Sequence, residues 1–190
     1  GGQYEYPRGL FFGGRGPIAS QRLLAGQLPQ LAGEAERVLH IDYHTGLGRR
    51  GTYAMLSDQT YRDEDRQRLH DAFGRERLRE PEDAEADYII RGGLGRWCRR
   101  TLGDHYLAVG AEYGTYPPLE VLLGLREENL TRQHLPYDHP RRRRARARLQ
   151  ELFCPRSVKW RRWAIPSGAS LIDRAVATLA RGTHANRGHR

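Results

Sequence analysis

The chain has 190 residues, which is enough for one ordinary domain and too few for two large ones. Hydrophobic residues make up 38% of it, and because no apolar run approaches the roughly 18 residues of a membrane helix, a spanning segment is excluded. The formal net charge is +9, but the 32 basic residues include a single lysine, Lys159, a skew more typical of coding bias than of a binding surface.

The first half of the chain predicts one helix and then two strands. Leucines recur at helical spacing after Ser20, which is a suitable N-cap. These leucines are Leu23, Leu24, Leu28 and Leu31. Residues 37–44 are rich in Val, Leu and Ile and end at a glycine loop, so they predict a buried strand, and residues 52–56 predict another.

The rest of the chain, from about residue 58, continues this alternation. Its polar start predicts a surface helix over about residues 62–74, and a short apolar run begins at Tyr88. Residues 105–113 predict a second buried strand that ends in Gly114. Helices are predicted to begin at Pro117-Pro118, to run to Phe153 after a break at Pro140, and to cover about residues 170–180.

This alternation, without repeats or a clear linker, predicts an α/β fold with a mixed, mostly parallel sheet flanked by helices. We expect residues 1–181 to belong to a single domain and residues 182–190 to form a polar tail. Ligands of such sheets bind at the carboxyl ends of the strands. Two strand ends of this chain carry polar residues that a buried strand does not need.

The first of these strand ends carries His44, followed by Thr45 and Gly46. A histidine in the last position of a buried strand points into the crevice, where a neutral imidazole is a good zinc ligand if its other nitrogen has an acceptor. The alternative is a histidine that satisfies backbone groups of the turn. The spacing alone favours this second interpretation.

The second strand end carries Glu112, between Ala111 and Tyr113. A carboxylate amid small and apolar residues is partly desolvated, which raises its pKa toward the range useful to a general base. The alternative is a glutamate paired with one of the many arginines, and Glu112 considered alone favours that alternative.

Four residues flank these two positions. Tyr43 and Tyr113 could line a pocket, although aromatic packing against the sheet is the favoured interpretation. Arg49 and Arg50 follow the glycine turn and could meet an anionic group of a substrate, although a solvated loop is favoured.

A dense arginine run, residues 141–148, has two interpretations. It could be a phosphate-binding arm of a nucleic-acid-binding module. The favoured interpretation is the solvated start of a helix, because no aromatic residues interleave the run as stacking platforms. Nucleic acid is therefore not the expected partner.

The two cysteines, Cys98 and Cys154, fit neither a metal-binding spacing nor a disulfide framework. Reduced thiols are typical of the cytoplasm, which is the expected compartment.

Four segments of the chain occur together in one known group of proteins. They are a glycine-rich aromatic opening at residues 2–14, the Ile-Asp-Tyr-His-Thr-Gly-Leu-Gly turn at 41–48, the Ala-Glu-Tyr-Gly-Thr segment at 111–115, and the Glu-Glu-Asn triplet at 127–129. This combination resembles the zinc carboxypeptidase superfamily, and within it a bacterial carboxypeptidase-like branch catalogued as a domain of unknown function. The likeness extends from Gly2 to about Trp160.

The resemblance implies a zinc-dependent exopeptidase-like fold and hydrolysis of a peptide or amide bond near a free carboxyl terminus. The substrate would be a peptide or an acylated amino acid. His44 matches the last of the family's three zinc ligands, and Glu112 matches the glutamate that takes the proton of the attacking water. The resemblance assigns no substrate-binding residue to this chain.

The chain departs from the family pattern in one respect. The family's first two zinc ligands form a His-x-x-Glu pair, and none of the eight histidines is followed by glutamate at that spacing. The zinc ligand set is therefore incomplete, and we expect the chain to be the C-terminal portion of such a domain. Two alternatives stay open: a catalytically inactive carboxypeptidase-like remnant, and the arginine-rich nucleic-acid-binding module.

Overall fold

A computed structural model describes residues 2–80 and 93–185. Within these residues the strands are β1 (Val38–Thr45), β2 (Tyr53–Leu56), β3 (Leu78–Arg79) and β4 (Tyr106–Tyr113). The helices are α1 (Ala19–Ala32), α2 (Asp63–Phe73), α3 (Leu94–Leu102), α4 (Pro118–His134), α5 (Pro140–Phe153) and α6 (Val158–Ala185). None of the described helices has the length and apolar content needed to cross a membrane.

The four strands form one sheet in the order β1-β4-β2-β3. The pairs β1–β4 and β2–β3 are parallel, and the central pair β4–β2 is antiparallel. Helices cover this sheet, so the predicted α/β class with a mixed, mostly parallel sheet is confirmed. The strands predicted at residues 37–44, 52–56 and 105–113 are β1, β2 and β4.

The structure differs from the sequence-based expectation at two helices. Helix α3, which begins at Leu94, is not among the elements expected from the sequence, and it packs closely on the sheet, because a Cβ atom on Gly95 would lie 2.8 Å from the Cβ of Ala108. The last helix begins at Val158 and continues through Pro166, because burial of its inner face outweighs the local cost of proline.

Two predicted segments fall partly or wholly outside the described residues. The apolar run that begins at Tyr88 lies outside them. Helix α6 continues to Ala185, so the first four residues of the predicted polar tail are helical, and residues 186–190 lie outside the described range.

One face of the sheet carries the main hydrophobic core. Residues of β4 at alternate positions, Leu107, Val109, Ala111 and Tyr113, belong to it together with side chains of α2 and α6. Phe73 of α2 and Leu171 of α6 are completely buried there. Burial of one such side chain stabilises the fold by about 1.5–3 kcal/mol, so this face carries most of the driving force for folding.

The described residues that cover the opposite face lie at the amino end of β4. A second cluster, centred on Cys98 of α3, covers Tyr106 and Ala108 and includes Leu28 of α1. Farther along β4 the same face carries Gly110 and Glu112, which are only partly buried. The residues within 2–80 and 93–185 therefore leave the carboxyl end of β4 open on this face.

Gly114 closes the end of β4 against the loop that precedes β2. Its amide donates to the Thr52 carbonyl over 3.0 Å, and a Cβ atom at this position would overlap the Arg49 carbonyl oxygen. Gly114→Ala should therefore displace the loop and lower the free energy of unfolding by about 1–3 kcal/mol. Urea denaturation measures this change.

Gly26→Ala in α1 is the matched control. A Cβ atom at Gly26 meets no atom within 4 Å, so alanine should raise stability by about 0.5–1 kcal/mol through helix propensity. A Gly114→Ala variant as stable as wild type would show that the loop does not need this close approach.

The hydroxyl of Tyr61 makes a buried hydrogen bond to the carbonyl oxygen of Ala108. Burial raises the pKa of Tyr61 from 10 to about 12. The unfolded chain therefore ionises first, and stability is lost between about pH 10 and 12, by up to about 3 kcal/mol. Urea unfolding at pH 9 to 11.5 should show a shallower alkaline loss in Tyr61→Phe, and equal slopes would contradict this assignment.

Candidate active site

The register of β1 and β4 brings both predicted site residues together. His44 pairs directly with Glu112, and Glu112 also pairs with Ala54 of β2 on its other side. Because partners in register direct their side chains to the same face of a sheet, His44 and Glu112 share the open face at the carboxyl end of the strands.

Asp42 joins this pair from β1. It lies two residues before His44, hence on the same face, and its Oδ2 atom is 2.8 Å from His44 Nε2. Asp42 thus fixes the ring through Nε2 and leaves Nδ1 as the nitrogen that points away from it. Asp42 is not indicated by the strand-end patterns, although the two-residue alternation of a strand could have identified it.

Glu112 is held by the backbone of the turn that follows β1. The Leu47 amide donates to Glu112 Oε1 over 3.0 Å, which leaves Oε2 for another partner. Burial raises the pKa of Glu112, while the Leu47 amide and the nearby His44 act in the opposite direction, with burial dominant. Glu112 is therefore a stronger base than an exposed glutamate.

The turn that supplies the Leu47 amide is itself tightly fixed. The Gly46 amide donates to the Tyr113 carbonyl over 3.2 Å, at the end of β4. Gly46 has a φ of 129°, and a Cβ atom there would lie 2.6 Å from the Phe153 ring. Glycine is therefore required for both its backbone angle and its packing.

The flanking tyrosines do not line the site. The Tyr43 hydroxyl donates to the Gly168 carbonyl over 2.7 Å, and its ring lies 6.3 Å from that of Tyr113. Tyr113 in turn stacks on Tyr53 at 5.3 Å and contacts Trp163 at 5.4 Å. Both tyrosines therefore pack on the core face of the sheet.

The two arginines after the turn have different positions. The guanidinium of Arg50 lies 4.9 Å from the centre of the Tyr116 ring. Arg49 instead lines the cavity that contains Glu112.

The arginine run at residues 141–148 forms the start of α5, and part of it is engaged within the molecule. Arg142 donates to the Leu135 carbonyl over 3.0 Å, Arg146 donates to the Tyr137 hydroxyl over 2.6 Å, and Arg148 is 3.6 Å from Glu127. These contacts agree with the interpretation of the run as the start of a helix.

In metal-bound histidines, one ring nitrogen usually binds the metal and the other contacts a carboxylate. The contact of His44 Nε2 with Asp42 matches this arrangement and leaves Nδ1 for a metal. Within residues 2–80 and 93–185, however, no three His, Cys, Asp or Glu side chains form a group that could hold a metal ion. The described residues thus provide one histidine suited to binding a metal ion and its carboxylate partner, and a complete zinc site would need further donors.

The Asp42 contact predicts the tautomer of His44. A carboxylate at Nε2 favours the neutral ring that carries its proton there, so Asp42→Asn should shift the ring toward the other tautomer. Two-bond ¹H–¹⁵N correlation spectra at pH 8 measure the two nitrogen shifts. Asp58→Asn, on the loop after β2, is the control, and unchanged His44 shifts in Asp42→Asn would contradict the contact.

Comparison with known proteins identifies the family of this chain. Searches among curated proteins and among solved structures found no match. The model of a family described as a protein of unknown function (DUF2817) matches residues 1–166, which include β1, β4 and the whole His44–Glu112 site. The chain therefore belongs to the DUF2817 family.

Proposed function

We propose that the chain belongs to a zinc-dependent, metallocarboxypeptidase-like hydrolase that cleaves a peptide or amide bond. The observation that carries this proposal is the pairing of His44, backed by Asp42, with Glu112 on the open face of the sheet. The resemblance of the two strand-end motifs to zinc carboxypeptidases supports the same reaction.

Glu112 is the general base in this proposal. Its Oε1 atom is held by the Leu47 amide, so Oε2 accepts the proton of the attacking water and returns it to the leaving amine. Partial burial raises the pKa of Glu112, which strengthens it as a base near neutral pH.

His44 is the metal ligand in this proposal. Asp42 holds Nε2, so Nδ1 is the nitrogen that would bind zinc. Zinc, when bound, polarises the scissile carbonyl and lowers the pKa of a water molecule. Asp42 restrains the orientation of the ring, which favours metal binding.

Replacing the proposed base tests the reaction. Glu112→Gln keeps the size of the side chain but cannot accept a proton, so turnover should fall about 10²- to 10⁴-fold. Amine release from short peptides and N-acylated amino acids measures it, with zinc supplied. Glu120→Gln, at an exposed position in the first turn of α4, is the control and should keep full activity.

Zinc binding is tested separately from turnover. His44→Ala should lower the zinc content of the purified chain, measured by elemental analysis after dialysis, and His139→Ala at the start of α5 should not. Wild-type activity in Glu112→Gln would contradict the assigned base. A folded wild-type chain without zinc uptake or turnover would support the inactive remnant instead.

A further inference from the structure

Helix α6 carries a row of five apolar side chains on its outer face. At 3.6 residues per turn they lie within about 60° of one another around the helix, and the row is about 27 Å long. Four of them expose more than half of their surface, from 52% for Ile172 to 71% for Ile165, and the fifth, an alanine, is also exposed. The row consists of Val158, Ile165, Ala169, Ile172 and Val176.

The inner face of α6 holds the helix to the rest of the fold. Trp160, Leu171 and Ala175 of this face are buried in the main core. The Tyr43 hydroxyl also donates to the Gly168 carbonyl. The apolar row lies about 120° around the helix from the core residues. It is therefore a second apolar face, separate from the one that attaches α6 to the sheet.

The spacing within the row is that of a seam between two helices. From Ile165 onward its members follow one another at steps of four, three and four residues. Apolar residues with this alternation run along one side of a helix and pack against a second helix laid beside it. The small Ala169 near the middle of the row lets that second helix approach closely.

The row is complementary to itself when a second copy of α6 lies antiparallel to it. In the register centred on Ser167, Val158 lies opposite Val176 of the second copy, and Ile165 lies opposite Ala169 of the second copy. Each contact then occurs twice, as the two-fold symmetry of a dimer of identical chains requires.

The charged residues beside the row are complementary in the same register. Lys159 and Asp173 are exposed on one flank of the row, and Asp173 is the only acidic residue in the sequence of α6. In the antiparallel pair, Lys159 lies within about 3 Å of the level of the second copy's Asp173 along the helix axis. The exposed Arg162 lies opposite Ile172, where its alkyl stem covers the apolar side chain while its guanidinium reaches the same aspartate.

The exposed leucines of α4 lack this complementarity. Leu119, Leu123 and Leu130 form a row of similar spacing on that helix. The antiparallel register that pairs Leu119 with Leu130, however, brings Glu120 near Glu127 of the second copy, and like charges at such positions are unfavourable. A second copy of the chain therefore fits α6 better than α4.

We propose that the outer face of α6 is the interface of a symmetric dimer, in which residues 158–176 of two copies pack antiparallel. A face about 27 Å long and 10 Å wide is smaller than a standard interface of about 800 Å² per partner, so the dimer forms at micromolar concentrations rather than permanently. The interface shares no residue with the His44–Glu112 site, and the dimer is independent of the proposed hydrolysis.

Sedimentation velocity of the full chain at about 0.15 M salt, from about 1 to 500 µM protein, measures this association. The wild type should convert from monomer to dimer within that range. Ile165→Arg and Ile172→Arg each place a charge within the apolar row and should weaken dimerisation at least tenfold. Leu119→Arg is the matched control, since it introduces the same charge at a similarly exposed leucine of α4, and it should leave dimerisation unchanged.

A charge exchange tests the register separately from the apolar contacts. Asp173→Lys sets like charges against each other at two symmetric places and should weaken the dimer about fivefold or more. Lys159→Asp combined with Asp173→Lys restores opposite charges and should recover affinity relative to Asp173→Lys alone. In a parallel pair each of these residues would lie beside its own copy, so the exchange would bring no recovery.

Circular dichroism and thermal unfolding establish that each variant is folded. A wild-type chain that stays monomeric at the highest concentration overturns the proposal and leaves this face to a partner of different sequence. A dimer that persists unchanged in folded Ile165→Arg and Ile172→Arg overturns it as well, because the contact then lies elsewhere. Loss of affinity in Asp173→Lys without recovery in the double variant overturns the antiparallel register.

Discussion

The candidate site depends on the in-register parallel pairing of β1 with β4. Eight consecutive residue pairs join these strands, and the seventh places His44 beside Glu112. Because side chains alternate along each strand, this register also directs Ile41 and Val109 into the main core. One backbone arrangement therefore accounts for both the hydrophobic core and the polar site.

The turns beyond these strands connect the site to the rest of the fold. Gly46 and Gly114 let the loop at residues 46–52 approach the end of β4, and this approach brings the Leu47 amide to Glu112. The indole of Trp160 in α6 donates to the Gly114 carbonyl over 2.9 Å. A hydrogen bond from the buried core thus supports the backbone that orients the proposed base.

The sequence predicts the parts of this arrangement that are local. The runs that end at His44 and Tyr113 are apolar and stop at glycine, so their strands and exposed ends are evident from the pattern. The sheet order and the contact of Asp42 with His44 are less evident, because register results from long-range pairing. Arg79 lies in a polar stretch typical of a solvated surface, and only the pairing of β2 with β3 places it on the same face of the sheet as Glu112.

The alternation along β4 has a consequence for molecules that fold incorrectly. A slip of one residue between β4 and its neighbours would turn Glu112 into the core and bring Ala111 to the open face. The same slip would expose Val109 and bury a carboxylate without a partner, which is strongly unfavourable. A misfolded copy would therefore lose both the pairing of His44 with Glu112 and much of its stability, and it would be more exposed to proteolysis.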